Sequence, residues 1–255
     1  GIRPQPRARG LGDVYKRQLP GGSTNVFART LGLPDDPVEA TGALLDAVEA
    51  ASIRRIGLGS INQRYFLFHA GVGFDAAVVE QVERRGGLLK RFAGHPLFIV
   101  AAVDTWLRHY DHRNPTFRVA TRALGDEEAP HPSTGVPGVF AVFLNTDPYT
   151  YLGTRGLSLA PGTTLDDPLA AITFQSLSPY RLLPVVAASL GLTRSSPAAN
   201  PAVNFRSDVT EATVVAHSIA SNRPAMRGRY SPACSHSTKR LQCLDSCLLY
   251  TSDAA

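Results

Sequence analysis

Apolar positions recur along this chain at two spacings, and the change from one to the other divides it. From Asp36 to Ala51 the spacing is helical, with Ala40, Ala43, Leu44, Ala47, Val48 and Ala51 on one face that is expected to be buried. Asp36-Pro37-Val38-Glu39 opens this helix with an N-cap acid, a proline in the first turn and an acid after it. A shorter helix is predicted over Phe27 to Leu31, ended by Gly32-Leu33-Pro34. Beyond residue 52 the pattern turns strand-like. Arg54 to Leu58 and Tyr65 to His69 read as two strands of a hairpin or meander, separated by a loop from Gly59 to Gln63. Helical spacing returns through Val78, Val79 and Val82 as far as a basic, glycine-containing turn at Arg84 to Arg91. A further helix is predicted from His95 to His109, its Leu97, Phe98, Val100, Ala101 and Trp106 expected mostly in the core. Strands resume at Thr116 to Thr121, Val139 to Asn145 and Ala170 to Gln175. The polar, proline-rich stretch from Gly125 to Gly138 is expected to be a mobile, dispensable loop.

These patterns place a domain boundary near residue 52 and leave both ends out of register with the rest. Residues 1–18 carry a net charge of +4 and residues 218–255 a net charge of +3, so residues 19–217 are left with −2. All three cysteines and the only methionine also lie beyond residue 217. The two ends are expected to be foreign or disordered sequence, excluded from reasoning about the fold. A body with net charge −2 has no electrostatic grip on nucleic acid, so no nucleic-acid partner is expected. With 44% hydrophobic and 18% charged residues the chain reads as an ordinary globular protein. It holds no apolar run of roughly 18 to 20 residues and no signal-peptide pattern, which makes a cytoplasmic location the expectation.

Three clusters carry candidate chemistry. In Leu19-Pro20-Gly21-Gly22-Ser23-Thr24-Asn25, the glycines let backbone approach a ligand closely. Ser23, Thr24 and Asn25 are good N-caps, so the segment outlines a phosphate cradle, or equally a plain strand-to-helix turn. Ala70-Gly71-Val72-Gly73-Phe74-Asp75-Ala76 holds small residues and one acid, weak by itself as a nucleotide signature. Leu159 to Leu169 ends in the adjacent acids Asp166 and Asp167, which suit a hard cation such as magnesium and equally suit a turn before a strand.

In their order, the three clusters resemble the diacylglycerol kinase catalytic family, which includes bacterial lipid kinases and the sphingosine and ceramide kinases. Pro20 to Arg29 is similar to its P-x-G-T-x-N-D-x-A-R segment, Gly71 to Ala76 to its G-x-G-F-D-A segment, and Leu159 to Leu169 to its A-P-x-A-x-x-D-D-G-x-L segment. The resemblance implies an α/β plus β-rich architecture. Residues 19–51 would be the end of a truncated Rossmann-like nucleotide domain, and residues 52–217 a β-sandwich-like second domain. It implies ATP and Mg2+ as cofactors, with Gly21, Gly22, Ser23, Thr24 and Asn25 touching ATP. Asp166 and Asp167 would lie in the metal-holding acidic region, and Asp75 would support the interdomain site. A lipid substrate, peripheral contact with a membrane and room for a homodimer follow from the same resemblance.

The chain departs from the family pattern in places. Val26 stands at the usual aspartate and Pro168 at the usual glycine. The family's G-G-D-G-T phosphate motif, due before Leu19, and its D-G-E segment, due near residue 218, are both missing. A fragment lacking a complete active site is therefore expected, with the catalytic base unassigned. Two other readings stand beside this one: a nicotinamide-nucleotide kinase, and a non-catalytic nucleotide-binding relative.

Overall fold

The computed structural model describes residues 25–52, 54, 56–62, 64–84, 99–216, 238–244 and 249–251. The chain forms two compact units, Gly1–Ile53 and Arg54–Ala255.

In the first unit, α1 (Val26–Thr30) and α2 (Pro37–Glu49) are the elements among the described residues. Asp36 begins α2 as its sequence predicts: its carboxylate accepts from the backbone amides of Val38 and Glu39, satisfying two donors that the first helical turn leaves free. The apolar face of α2 is less buried than its spacing predicts. Ala40 is fully enclosed, but Ala43, Leu44 and Ala47 are half-buried and Val48 and Ala51 are exposed. Periodicity selects which face turns inward, whereas the depth of burial depends on what covers that face. Among the described residues of this unit no strand does so.

The second unit is built on one sheet. Its strands are β1 (Leu58–Ile61), β2 (Arg64–Phe66), β3 (His69–Gly73), β4 (Phe117–Ala123), β5 (Val136–Gly138) and β6 (Phe140–Leu144). A separate ribbon of β7 (Thr150–Leu152) and β8 (Arg155–Leu157) follows, and then β9 (Leu169–Phe174), β10 (Val203–Ala216), β11 (Thr238–Leu244) and β12 (Leu249–Thr251). Among the described residues the sheet has ten strands, running β12, β3, β6, β9, β10, β11, β1, β2, with β4 joined to β10 and β5 to β4. All its ladders are antiparallel except those of β11, which runs parallel to β1 and β10. Two of its strands, β11 and β12, come from residues 218–255, where the sequence departs from pattern.

Alternation along the strands gives the sheet two buried faces. Ala141, Phe143 and Ala171 point to one cluster, and Val142, Leu144, Ala170 and Ile172 to another. The first cluster also contains Ile61 and Phe66 of β1 and β2, far from β3 and β6 in the strand order, so the sheet curls and these strands share one core. Full burial of a side chain such as Phe143 contributes roughly 1.5–3 kcal/mol.

Three boundaries differ from the sequence expectation, the simplest being the stretch from Tyr65 to His69, which is divided because β2 ends at Phe66 and His69 opens β3. The first strand is Leu58–Ile61 rather than Arg54 to Leu58, and the loop shrinks to a tight turn at Asn62, which takes φ 45°. Gly59 sits in the strand because the Phe66 ring occupies the place a Cβ would need. The stretch from Gly125 to Gly138 is not loop throughout, since Val136–Gly138 pairs with β4. Pro137 is tolerated there because β5 pairs on one side only.

Among the described residues three α-helices accompany the sheet. α3 (Phe74–Arg84) follows β3 directly. α4, residues 99–109, passes into a π-turn at Thr105–His109, and α5 spans Pro179–Ser189. Val78 and Val82 of α3 pack on Ala101 of α4. Trp106 anchors α4 by donating its Nε1–H to the Leu177 carbonyl at 2.9 Å.

Candidate active site

The Gly71–Ala76 cluster straddles the junction of β3 and α3, and it places Asp75 in the first turn of the helix. Gly71 explains the small residue: a Cβ at that position would collide with the Asp75 carboxyl, so only glycine lets the strand pass so close. The backbone approach foreseen for this segment is thus an approach to its own acid.

Asp75 has few partners for a buried acid. Tyr149 donates its hydroxyl to Oδ1 at 2.8 Å. His69 Nε2 lies 3.8 Å from Oδ2, beyond hydrogen-bond range. The side chains of His69 and Asp75 are 8% and 15% exposed, and Oδ2 is buried without a hydrogen-bond partner. The His69 and Tyr149 rings lie 4.9 Å apart, completing a three-residue cluster. Burial pushes the Asp75 carboxyl up from 3.8 to about 6, against the lowering effect of the Tyr149 hydroxyl. Burial likewise pushes the His69 imidazole down to about 3. At neutral pH the cluster is a neutral imidazole facing a mostly ionised carboxylate.

Tyr149 is held in place by β8 and, through Asp147, by the third cluster. Its amide donates to the Leu157 carbonyl at 3.0 Å, and the neighbouring Asp147 amide donates to Thr163 at 3.0 Å. The Asp147 carboxylate accepts from the Ser158 hydroxyl and, at 3.2 Å, from the Ala160 amide. Burial raises the pKa of Asp147, and these bonds oppose the shift. The second and third clusters are therefore linked through Asp147 and Tyr149, which sequence reasoning passes over. Tyr149 stands 74 residues from its acid, and no local signal announces the pairing. His69 closes a predicted strand and has no motif of its own.

Asp166 and Asp167 take a different form. Asp166 is 54% exposed and forms an ion pair with Arg54. Asp167 accepts at one carboxylate oxygen from the Thr164 amide at 2.9 Å and the Thr164 hydroxyl at 2.6 Å, closing a turn. The Leu165 carbonyl receives the Gly57 amide at 2.9 Å, which ties this turn to the approach of β1. Among the described residues no three His, Cys, Asp or Glu side chains gather to hold a metal ion. With one carboxylate on an arginine and the other on a threonine, the pair does not fit a formed magnesium site.

Of the first cluster, Gly21, Gly22, Ser23 and Thr24 lie outside the described residues. Asn25 precedes α1 in the left-handed conformation, φ 46° and ψ 36°, which asparagine tolerates better than most residues. Its side chain donates to Asp35 at 2.9 Å instead of capping the helix.

No protein-family model matches the chain. Two proteins named "Probable lipid kinase YegS-like", from two strains of Pseudomonas aeruginosa, are each 34% identical to it over 96 residues. The match covers 38% of this chain and 29% of each relative. A solved structure named "putative diacylglycerol kinase", from Bacillus anthracis str. Sterne, superposes with a TM-score of 0.47 at 16% identity. It covers 78% of this chain and 56% of that one. Over the matched 96 residues the chain is similar to these probable lipid kinases, of whose length it spans about a third.

Proposed function

We propose that the chain belongs to an ATP-dependent lipid kinase that phosphorylates the hydroxyl of diacylglycerol or a related lipid. The observation that carries this reading is Asp75: a buried carboxylate with one unpartnered oxygen, inside the G-x-G-F-D-A-like segment. An acid kept only for structure is normally paired when buried, and a buried acid left half-satisfied is a functional candidate. The order of the three clusters and the 96-residue match to the Pseudomonas aeruginosa relatives support the same reading.

Phosphoryl transfer depends on positioning and on neutralising charge more than on covalent chemistry by the protein. In this proposal Gly21, Gly22, Ser23, Thr24 and Asn25 receive the ATP phosphates, and Asp75 is a polar anchor held by Tyr149. No residue is assigned as the base. Magnesium is implied by the resemblance, but no step is built on Asp166 and Asp167, whose carboxylates serve Arg54 and Thr164. That engagement favours one second reading, a relative that binds the nucleotide without catalysis. No helix among the described residues is long and apolar enough to cross a membrane, so a lipid would be reached by peripheral contact.

Two measurements test this. Calorimetric titration with ATP is expected to show saturable binding. Incubation with γ-labelled ATP and diacylglycerol in mixed micelles is expected to label the lipid. Binding without transfer would replace the kinase with the non-catalytic reading. Transfer to NAD instead of lipid would point to a nicotinamide-nucleotide kinase, and absence of both binding and transfer would overturn the proposal.

A further inference from the structure

Where the chain leaves β6, alternate residues of the segment 145–149 each hold a different part of the second unit. Asn145 is fully buried, and its side-chain amide donates to the Gly57 carbonyl at 2.8 Å and to the Leu67 carbonyl at 2.7 Å. Its backbone amide donates to Phe68 at 2.7 Å, next to His69. Gly57 in turn donates its own amide to Leu165 at 2.9 Å, so Asn145 reaches the turn of Asp166 and Asp167 through one intermediate. Two residues on, Asp147 holds residues 158–163 at the opening of the third cluster, and two further on, Tyr149 holds Asp75.

Asp147 stands at the centre of this segment, and its contacts need a carboxylate. Oδ2 accepts from the Ser158 hydroxyl and Oδ1 from the Ala160 amide at 3.2 Å, with the Leu159 amide adding to them. Both oxygens therefore face donors. An asparagine would turn its NH2 group, which accepts nothing, towards one of them. Pro148, between Asp147 and Tyr149, lies against β8: a Cβ on Gly156 would come within 3.2 Å of its ring. The Tyr149 amide then joins Leu157 of the same strand at 3.0 Å. With Pro148 and the Tyr149 backbone packed on β8, a displacement of Asp147 passes along the segment to the Tyr149 side chain.

We propose that Asp147 is a positioning residue: by clamping residues 158–163 and fixing the segment that follows it, it sets the Tyr149 hydroxyl on Asp75 and makes the second and third clusters one preorganised unit. The inference rests on the lipid-kinase reading for the reaction that this unit serves. Asp147 acts through Tyr149 and not on a reacting group.

The experiment compares the full wild-type chain with Asp147→Asn, Ser158→Ala, Tyr149→Phe and the double variant Asp147→Asn, Tyr149→Phe. Two quantities are read: the titration of the Asp75 carboxyl by NMR, and steady-state transfer from γ-labelled ATP to a short-chain diacylglycerol in mixed micelles. Asp147→Asn is expected to move the Asp75 titration to higher pH, as Tyr149→Phe does, because the hydroxyl that favours the ionised acid is drawn away. The double variant should move it no further than Tyr149→Phe alone, since Asp147 acts through that hydroxyl. In the transfer assay Asp147→Asn should lower kcat about tenfold or more and leave the KM for ATP within about twofold. Ser158→Ala removes one of the donors and should give a smaller shift in the same direction; it decides the matter if Asp147→Asn does not fold. An Asp75 titration unmoved in the folded variant, or additive shifts in the double variant, overturns the positioning role. So does an unchanged kcat, or a loss confined to KM, where the wild type transfers phosphate. A wild type that transfers none sinks the kinase reading instead, and the NMR titrations then decide the positioning role by themselves.

Discussion

Two acidic regions of this molecule use the same functional group in opposite ways. Asp166 and Asp167 sit on an exposed turn, and their carboxylates meet Arg54 and Thr164. Asp75 is enclosed beside His69, has Tyr149 as its one hydrogen-bond donor and keeps a bare oxygen, with its carboxyl pushed up to about 6. A hydrated, partnered acid costs the fold little. A buried, half-satisfied acid costs stability, so its presence calls for a use elsewhere. By sequence the adjacent acids look the more chemical of the two regions, yet the single acid is the one whose environment is unusual.

The sharpest way to break the contrast is to remove the charge from Asp75. A carboxyl whose folded value lies above its unfolded value favours folding fully only below 3.8, and that benefit is lost as the pH rises through about 6. Asp75→Asn removes the ionisation cost. It should therefore stabilise the second unit by about 1–3 kcal/mol at pH 8 and make little difference at pH 4. Denaturant melts at the two pH values check this, and an equal effect at both would mean that burial does not disfavour the ionised carboxyl. His69 works in the other direction, since its lowered value adds stability as the pH rises from about 3 to 6.5. Wild-type stability should be correspondingly flat between about pH 4 and 6.

Tyr149→Phe should deepen the contrast. It leaves both Asp75 oxygens buried without a donor, costing about 1–3 kcal/mol at pH 8, less at pH 4. Titration of the Asp75 carboxyl by NMR should move to higher pH than in the wild type. A fall or no change would show that water takes over the hydroxyl's place.

Arg54→Ala should have the smallest effect. The pair it breaks is exposed on both sides, and such pairs contribute roughly 0.2–1 kcal/mol, falling with added salt. A larger loss that salt does not reduce would show that the arginine braces the turn by packing instead of by charge.

Local signals carried the helices well where a single turn of chain contains the cause. Asp36 and Pro37 start α2 because the cap and its free amides are adjacent in sequence. Strand limits were less legible. β1 moved to Leu58–Ile61 because Gly59 lies under Phe66, a contact across the hairpin that alternation alone does not encode. Val136–Gly138 reads as loop because of its proline, and becomes a strand because β4 offers it an edge. The candidate site divides in the same way. Asp75 was visible as the one acid in its segment, whereas Tyr149 and His69 were not, since nothing near either residue hints at the other.

The sequence by itself determined the order of the three clusters, the helical and strand-like character of the segments that hold them, and the start of α2, because each depends on neighbours within a few residues. Only the tertiary structure decided which carboxylate is starved of partners, which is tied into a turn, and which face of α4 is left to solvent, Val100 being exposed where its spacing predicts core. Desolvation and burial are set by whatever the rest of the chain brings alongside, and in this fold that arrives from as far as 74 residues away at Tyr149 and 112 at Asp166.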